Sequence, residues 1–244
     1  MIRALVALLL ILVPRQAWAM HISEGILPLN WAALWYALSI PFIGYALVLV
    51  RKRSEGDIAF KPLLGLIAAV VFIISAMPIP VPLAGTCSHP SGTGISAILL
   101  GPFISMLVAS VALLMQALFM AHGGLSTLGA NVVSMGIVGS LAGFIAFSAA
   151  RKLGGGLAIS GFAAGLMADW GTYAATSAEL ALGIRGDGPF APMFVKILIA
   201  FIPTQLPLGI LEGAMTSGIV VLLYKKRPDI LRRIGLVKQA EAAS

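Results

Sequence analysis

The stretch SAILLGPFISMLVASVALLMQALFMA, residues 96–121, carries no charged residue. It is longer than the roughly 20 apolar residues a helix needs to cross a bilayer. Segments of similar character lie on both sides of it, near 31–50, 62–80, 128–150, 157–182, 190–206 and 207–224. Over 244 residues, 59% are hydrophobic and 10% charged, and the mean hydropathy is +1.02. These values predict an all-α polytopic membrane bundle of about seven transmembrane helices, and they exclude a large soluble catalytic domain.

The net charge of +7 does not point to nucleic acid, because the basic residues cluster beside apolar segments, where they set orientation. Cys87 is the single cysteine, so no intramolecular disulfide is available. With the chain starting outside, the first span ends at Arg51-Lys52-Arg53, with Lys61 beyond. The seventh ends at Lys225-Lys226-Arg227, followed by Arg232-Arg233, so the C-terminus falls in the cytoplasm. Simple counting then leaves Arg151-Lys152 outside, against the charge rule: either the Gly/Pro-rich stretch within 81–130 re-enters the membrane and changes the count, or the pair is a tolerated exception. Small-xxx-small pairs at Ala33/Ala37, Gly139/Gly143, Gly161/Gly165 and Gly209/Gly213 predict close helix packing.

Residues 1–19 read as a signal peptide. Arg3 opens a short basic region, an apolar run follows from Ala4 to Val13, and Ala17-Trp18-Ala19 fits the small-x-small cleavage rule. Residues 20–224 then form the transmembrane domain and 225–244 a cytoplasmic tail. Cleavage, or a translation start at Met20, exposes a free Met20-His21 terminus. The Met20 α-amine, the deprotonated amide of His21 and its Nδ1 form two fused chelate rings with three nitrogens in one plane. A fourth nitrogen completes a square-planar site suited to Ni(II) or Cu(II) and acceptable to low-spin Co(II).

His89 is the candidate for that nitrogen, since its Gly/Pro/Ser/Thr-rich loop falls on the same face by the count. Cys87 is a small packing residue or a thiolate ligand. His122, in Ala121-His122-Gly123-Gly124, falls on the inner face by parity and reads as a helix C-cap, with a metal-relay role as the alternative. Glu24, three residues beyond His21, is a candidate for orienting its imidazole or for opening a helix. Asp169, Glu179 and Glu212 stand inside apolar segments, as bundle-internal hydrogen-bond partners, contacts to a partner protein or a proton path. No Gly-x-x-x-x-Gly-Lys-Ser/Thr occurs, so no nucleotide is bound through a P-loop, and no His-Glu-x-x-His supports a zinc protease.

Met20-His21-Ile22-Ser23-Glu24-Gly25-Ile26-Leu27-Pro28 resembles the mature N-terminus of the CbiM/NikM family, the substrate-binding subunits of energy-coupling-factor cobalt and nickel transporters. The resemblance runs on through His89, Leu100-Gly101-Pro102, Gln116-Ala117-Leu118, His122-Gly123-Gly124-Leu125, Leu128-Gly129-Ala130-Asn131 and Leu211-Glu212-Gly213. It implies a non-enzymatic inner-membrane subunit that captures Co(II), or Ni(II), through Met20, His21 and His89; Ser88 and Asn131 join Glu24 as candidates for supporting those ligands. It also implies a transmembrane coupling subunit, cytoplasmic ATPase subunits and a small accessory membrane protein, in the service of cobalamin biosynthesis. An ion-coupled metal permease and an intramembrane enzyme are the readings from other classes.

Overall fold

Apolar chain in lipid has to satisfy its own backbone, and it does so here as helices. The computed structural model describes residues 21–77 and 89–236 in full, and the backbone of residues 79–81 and 86–88. The expected signal peptide, Met20 and the last eight residues of the tail lie outside the described residues.

Helix α1 spans Leu29–Gly56 and α2 spans Phe60–Ser75. Strands β1 (Ile79–Val81) and β2 (Thr86–Ser88) pair antiparallel, with Pro80 opposite Cys87. Helices α3 (Thr93–Leu100), α4 (Pro102–Phe119) and α5 (Leu128–Lys152) follow. Then come α6 (Leu157–Ile184), α7 (Phe190–Lys226) and the short α8 (Pro228–Arg233). Helices α1, α4, α5 and α7 are long and apolar enough to cross a membrane, and α2 is a shorter apolar helix. Within α5, Val132–Gly139 is wound as a π-helix, a rare form that is frequent at functional sites.

Two boundaries differ from the sequence expectation. The 96–121 segment is not one span: it breaks where Gly101 adopts φ 86° and Pro102 starts a new helix. Proline has no amide to continue the first helix, and glycine tolerates the left-handed turn. The resulting α3 has eight residues, all buried, and at roughly 12 Å it is too short to cross. The segments 190–206 and 207–224 are instead one helix, α7, that continues through Pro203 and Pro207. Surrounding helices make such prolines tolerable inside a membrane helix.

The re-entrant α3 resolves the charge anomaly. Chain that descends through α3 returns through α4, so α5 runs downward and carries Arg151-Lys152 to the same end as the other basic clusters. Contacts fix that end. Arg53 Nη1 donates to the Leu100 carbonyl at 2.7 Å, Arg233 pairs with Asp57, and Phe60, Leu157, Tyr224 and Leu231 share one apolar cluster. At the opposite end, Leu27 packs on Gly183 and Ile22 on Ala130.

The interior combines small and hydroxyl residues with buried Ile95, Leu100, Ile104, Met106 and Met135, while Ile40, Leu47, Leu66, Ile145 and Leu222 face outward. A Cβ on Gly94 would lie 2.9 Å from the Gly165 Cα, and one on Gly143 would lie 3.2 Å from the Gly94 Cα. The three glycine pairs do sit at helix crossings; Ala33 and Ala37 do not, being exposed on α1.

Candidate metal centre

Three separate segments bring His21, His89 and His122 together. One nitrogen from each lies within 4.8 Å of the others, and the ring centroids are 4.8–4.9 Å apart. His21 and His89 are buried, and His122 is partly so.

The His21 segment is neither helix nor strand, and α5 and the turn before it satisfy the Ile22 backbone. Asn131 Oδ1 accepts from the Ile22 amide at 2.9 Å, and its Nδ2 donates to the Ile22 carbonyl at 3.2 Å. Thr127 Oγ1 donates to the same carbonyl at 2.6 Å. A carboxamide pairing both ways with one residue mimics a strand neighbour. The segment then crosses Gly123 and Gly124, and a Cβ on Gly124 would stand 2.6 Å from the Glu24 amide nitrogen. Side chains are excluded there by contact.

His89 precedes α3 in a loop held by Glu212 of α7. Glu212 Oε2 accepts from the Ser91 amide at 2.6 Å; its Oε1 accepts from the Ser91 hydroxyl at 2.8 Å and from the Gly92 amide at 3.0 Å. Since Pro90 O is an acceptor, His89 Nδ1 donates to it, at 3.1 Å, and the lone pair resides on Nε2.

His122 does not lie at the end of the bundle opposite His21, as parity suggested. Once α3 and α4 are counted separately, α4 ends at the same end as His21. The backbone of His122 caps α4, donating to Gln116 O at 3.3 Å, in keeping with the cap reading. Ala121, at φ 49°, then swings the imidazole into the cluster. A non-glycine residue in that region is strained, a feature that clusters at functional sites.

Glu24 is not a partner of the His21 ring. Its carboxylate accepts from the Ser126 amide at 3.0 and 3.2 Å, and hydrogen bonding to the Ser126 hydroxyl and then to that amide holds its pKa below the usual value. His21 Nε2 meets Gln116 Oε1 instead, at 2.9 Å. The sequence reading missed Gln116; a lone carboxamide in an apolar helix was the available signal, because such a group needs a partner. The side chains of Cys87 and Ser88, on β2, lie outside the described residues. Asp169, Glu179 and Glu212 are all buried; Glu212 holds the His89 loop, whereas no hydrogen bond reaches the Asp169 carboxylate among the described residues.

Burial lowers the pKa of all three imidazoles. For His21, burial is the leading cause, followed by the neighbouring His89 and His122, and it outweighs the opposing bond to Gln116. For His89, burial and then His122 bring the value down to about 3. Neutral imidazoles keep their lone pairs, so the cluster offers nitrogen donors of the kind that late first-row divalent cations prefer.

The family described as "CbiM: Cobalt uptake substrate-specific transmembrane region" matches residues 21–230. The chain belongs to the CbiM family. A Geobacter sulfurreducens relative named Cobalt transport protein CbiM is 64% identical over 221 residues, covering 91% of this chain. This chain spans 64% of that relative's length. A Sorangium cellulosum protein of the same name is 56% identical over 225 residues, covering 92% of this chain and 100% of the relative. One from Clostridium tetani is 41% identical, with 96% of both chains covered.

Two solved structures share the fold. One, described as a truncated transition metal transporter, has a TM-score of 0.73 at 25% identity and covers 84% of this chain and 99% of its own. The other, described as a transition metal transporter, has a TM-score of 0.74 at 24% identity, with 88% and 100% covered. CbiM membership and the apolar helices make this a multi-pass membrane protein.

Proposed function

We propose that the chain is the metal-capturing membrane subunit of an ATP-driven energy-coupling-factor transporter, taking Co(II) at the outer face. The observation that carries this reading is the convergence of His21 with His89 and His122 at the end of the bundle opposite the basic clusters. Removal of residues 1–19 leaves Met20 with a free amine beside His21. The amine, the His21 amide and the His21 Nδ1 supply three nitrogens, and His89 Nε2 supplies the fourth. His122 stands beside that fourth position and shields it. Residues 20–224 form the capturing domain, and 225–244 form the tail. With the basic clusters in the cytoplasm by the charge rule, the metal enters from outside.

Cobalt rather than nickel is favoured by the names of the relatives, although the donor set suits both ions. ATP hydrolysis comes from cytoplasmic ATPase partners, joined by a transmembrane coupling subunit and a small accessory membrane protein. The test is N-terminal sequencing and metal analysis of one purified sample. A terminus at Met20 with about one metal bound is expected; a terminus at Met1 with undiminished binding overturns the reading. Inserting Ala between Met20 and His21 breaks the chelate-ring pattern and should abolish tight binding, whereas unchanged affinity would exclude the amine and amide as ligands.

A further inference from the structure

The His21 ring is oriented from behind by a chain of buried polar groups that crosses two helices. Ser75, at the end of α2, donates its hydroxyl proton to Phe72 O at 3.2 Å. Its oxygen is therefore the acceptor for Gln116 Nε2 of α4, at 2.8 Å. That bond fixes which way the Gln116 carboxamide faces: nitrogen toward Ser75, oxygen toward His21. Gln116 Oε1 then meets His21 Nε2 at 2.9 Å. A carbonyl oxygen accepts only, so Nε2 is the protonated nitrogen and Nδ1 of the neutral ring bears the lone pair. Ser75 and Gln116 are completely buried, so no water competes for these bonds.

We propose that Gln116, with its amide orientation set by Ser75, is a positioning residue that holds His21 in the Nε2–H tautomer and turns Nδ1 toward the metal. This inference rests on the metal-capture reading and deepens it. Only Nδ1 can close a six-membered ring with the amide nitrogen of the same residue; Nε2 lies on the far side of the imidazole. The two histidines are pinned in opposite senses: His89 is tied through Nδ1 and presents Nε2, while His21 is tied through Nε2 and presents Nδ1. A hydrogen-bonded partner on the distal nitrogen also raises the basicity of the ligating one, and losing such a partner typically costs about 10–100-fold in metal affinity.

The test begins without mutation. Nitrogen-15 NMR of the metal-free, full-length protein, labelled at histidine and assigned with a His21→Ala control, should report the Nε2–H tautomer for His21. A Nδ1–H tautomer overturns the proposal. Co(II) titration of purified variants then separates orientation from packing. Gln116→Leu should lose about 10–100-fold in affinity. Gln116→Glu, which still offers an oxygen acceptor, should recover most of that loss, and Ser75→Ala should fall between. Wild-type affinity in Gln116→Leu, or no recovery in Gln116→Glu with both variants folded by thermal denaturation, overturns the proposal. The control keeps the two failures apart: if His21→Ala binds Co(II) like the wild type, the metal-capture reading fails and takes this inference with it. If His21→Ala loses binding and Gln116→Leu keeps it, only this inference falls.

Discussion

The Nε2 atoms of His89 and His122 lie 2.8 Å apart, joining side chains 33 positions distant in sequence. Because His89 donates through Nδ1, its Nε2 accepts and His122 Nε2–H donates. A metal on His89 Nε2 would replace this bond. His89→Ala should therefore remove a ligand and cost more than about 100-fold in Co(II) affinity, while His122→Ala should cost about tenfold or less. Competition titration against a chromophoric chelator reads both; equal losses would make His122 a ligand of the same rank.

Acid should destabilise the metal-free protein. The His89 value is lowered from its ordinary 6.5 to about 3, so between these values the unfolded chain binds a proton that the folded chain does not. Stability therefore rises with pH across that window and is lost as pH falls below about 6.5. His21 and His122 shift in the same direction. The thermal midpoint of detergent-solubilised protein should drop between pH 7 and pH 5, and His89→Phe should flatten the dependence. A midpoint that rises on acidification contradicts the linkage.

Gly124 tests the close crossing of the N-terminal segment. Gly124→Ala places a methyl carbon where Glu24 backbone already lies, 2.6 Å away. Overpacking of this kind costs about 1–3 kcal/mol, and the displaced segment carries His21. Both the thermal midpoint and the Co(II) affinity should fall. A Gly154→Ala control separates this crowding from turn strain: Gly154 has φ 85° and no atom within 4 Å of its Cβ position, so it should leave affinity unchanged.

Glu212 tests the support of the His89 loop. Glu212→Ala leaves two buried amides without their acceptor, at about 1–3 kcal/mol for each unsatisfied group, while the Ser91 hydroxyl keeps Thr93 Oγ1 at 2.9 Å. Glu212→Gln keeps one acceptor oxygen and should be milder. Thermal unfolding and Co(II) titration should rank wild type, Gln and Ala in that order. An Ala variant as stable as wild type would show that the loop holds its shape without α7.

Much of the fold was legible because hydropathy alone marks where lipid-compatible helices lie. The errors came where local and global signals conflict. Gly101-Pro102 breaks a run whose hydropathy is continuous, whereas Pro203 and Pro207 fail to break one, since neighbouring helices decide whether a proline ends a membrane helix. One missed break then inverted the expected end of everything from His122 onward, Arg151-Lys152 included, until the splitting of α7 into two spans restored the count. His21 and His89 stood out through chain position and loop composition. Gln116 and Ser75 did not, because a tautomer-fixing chain between two helices becomes visible only when the helices are packed.

Helix α3 has the Leu100 carbonyl in the grip of Arg53 of α1 and the Ser91-Gly92 turn at its other end in the grip of Glu212 of α7. All eight residues of the helix are buried, so packing surrounds it along its whole length. It works as a connecting rod between the first and the last long helix. A change in the tilt of α7 against α1 would therefore be felt at the Ser91-Gly92 turn, two residues from the His89 imidazole.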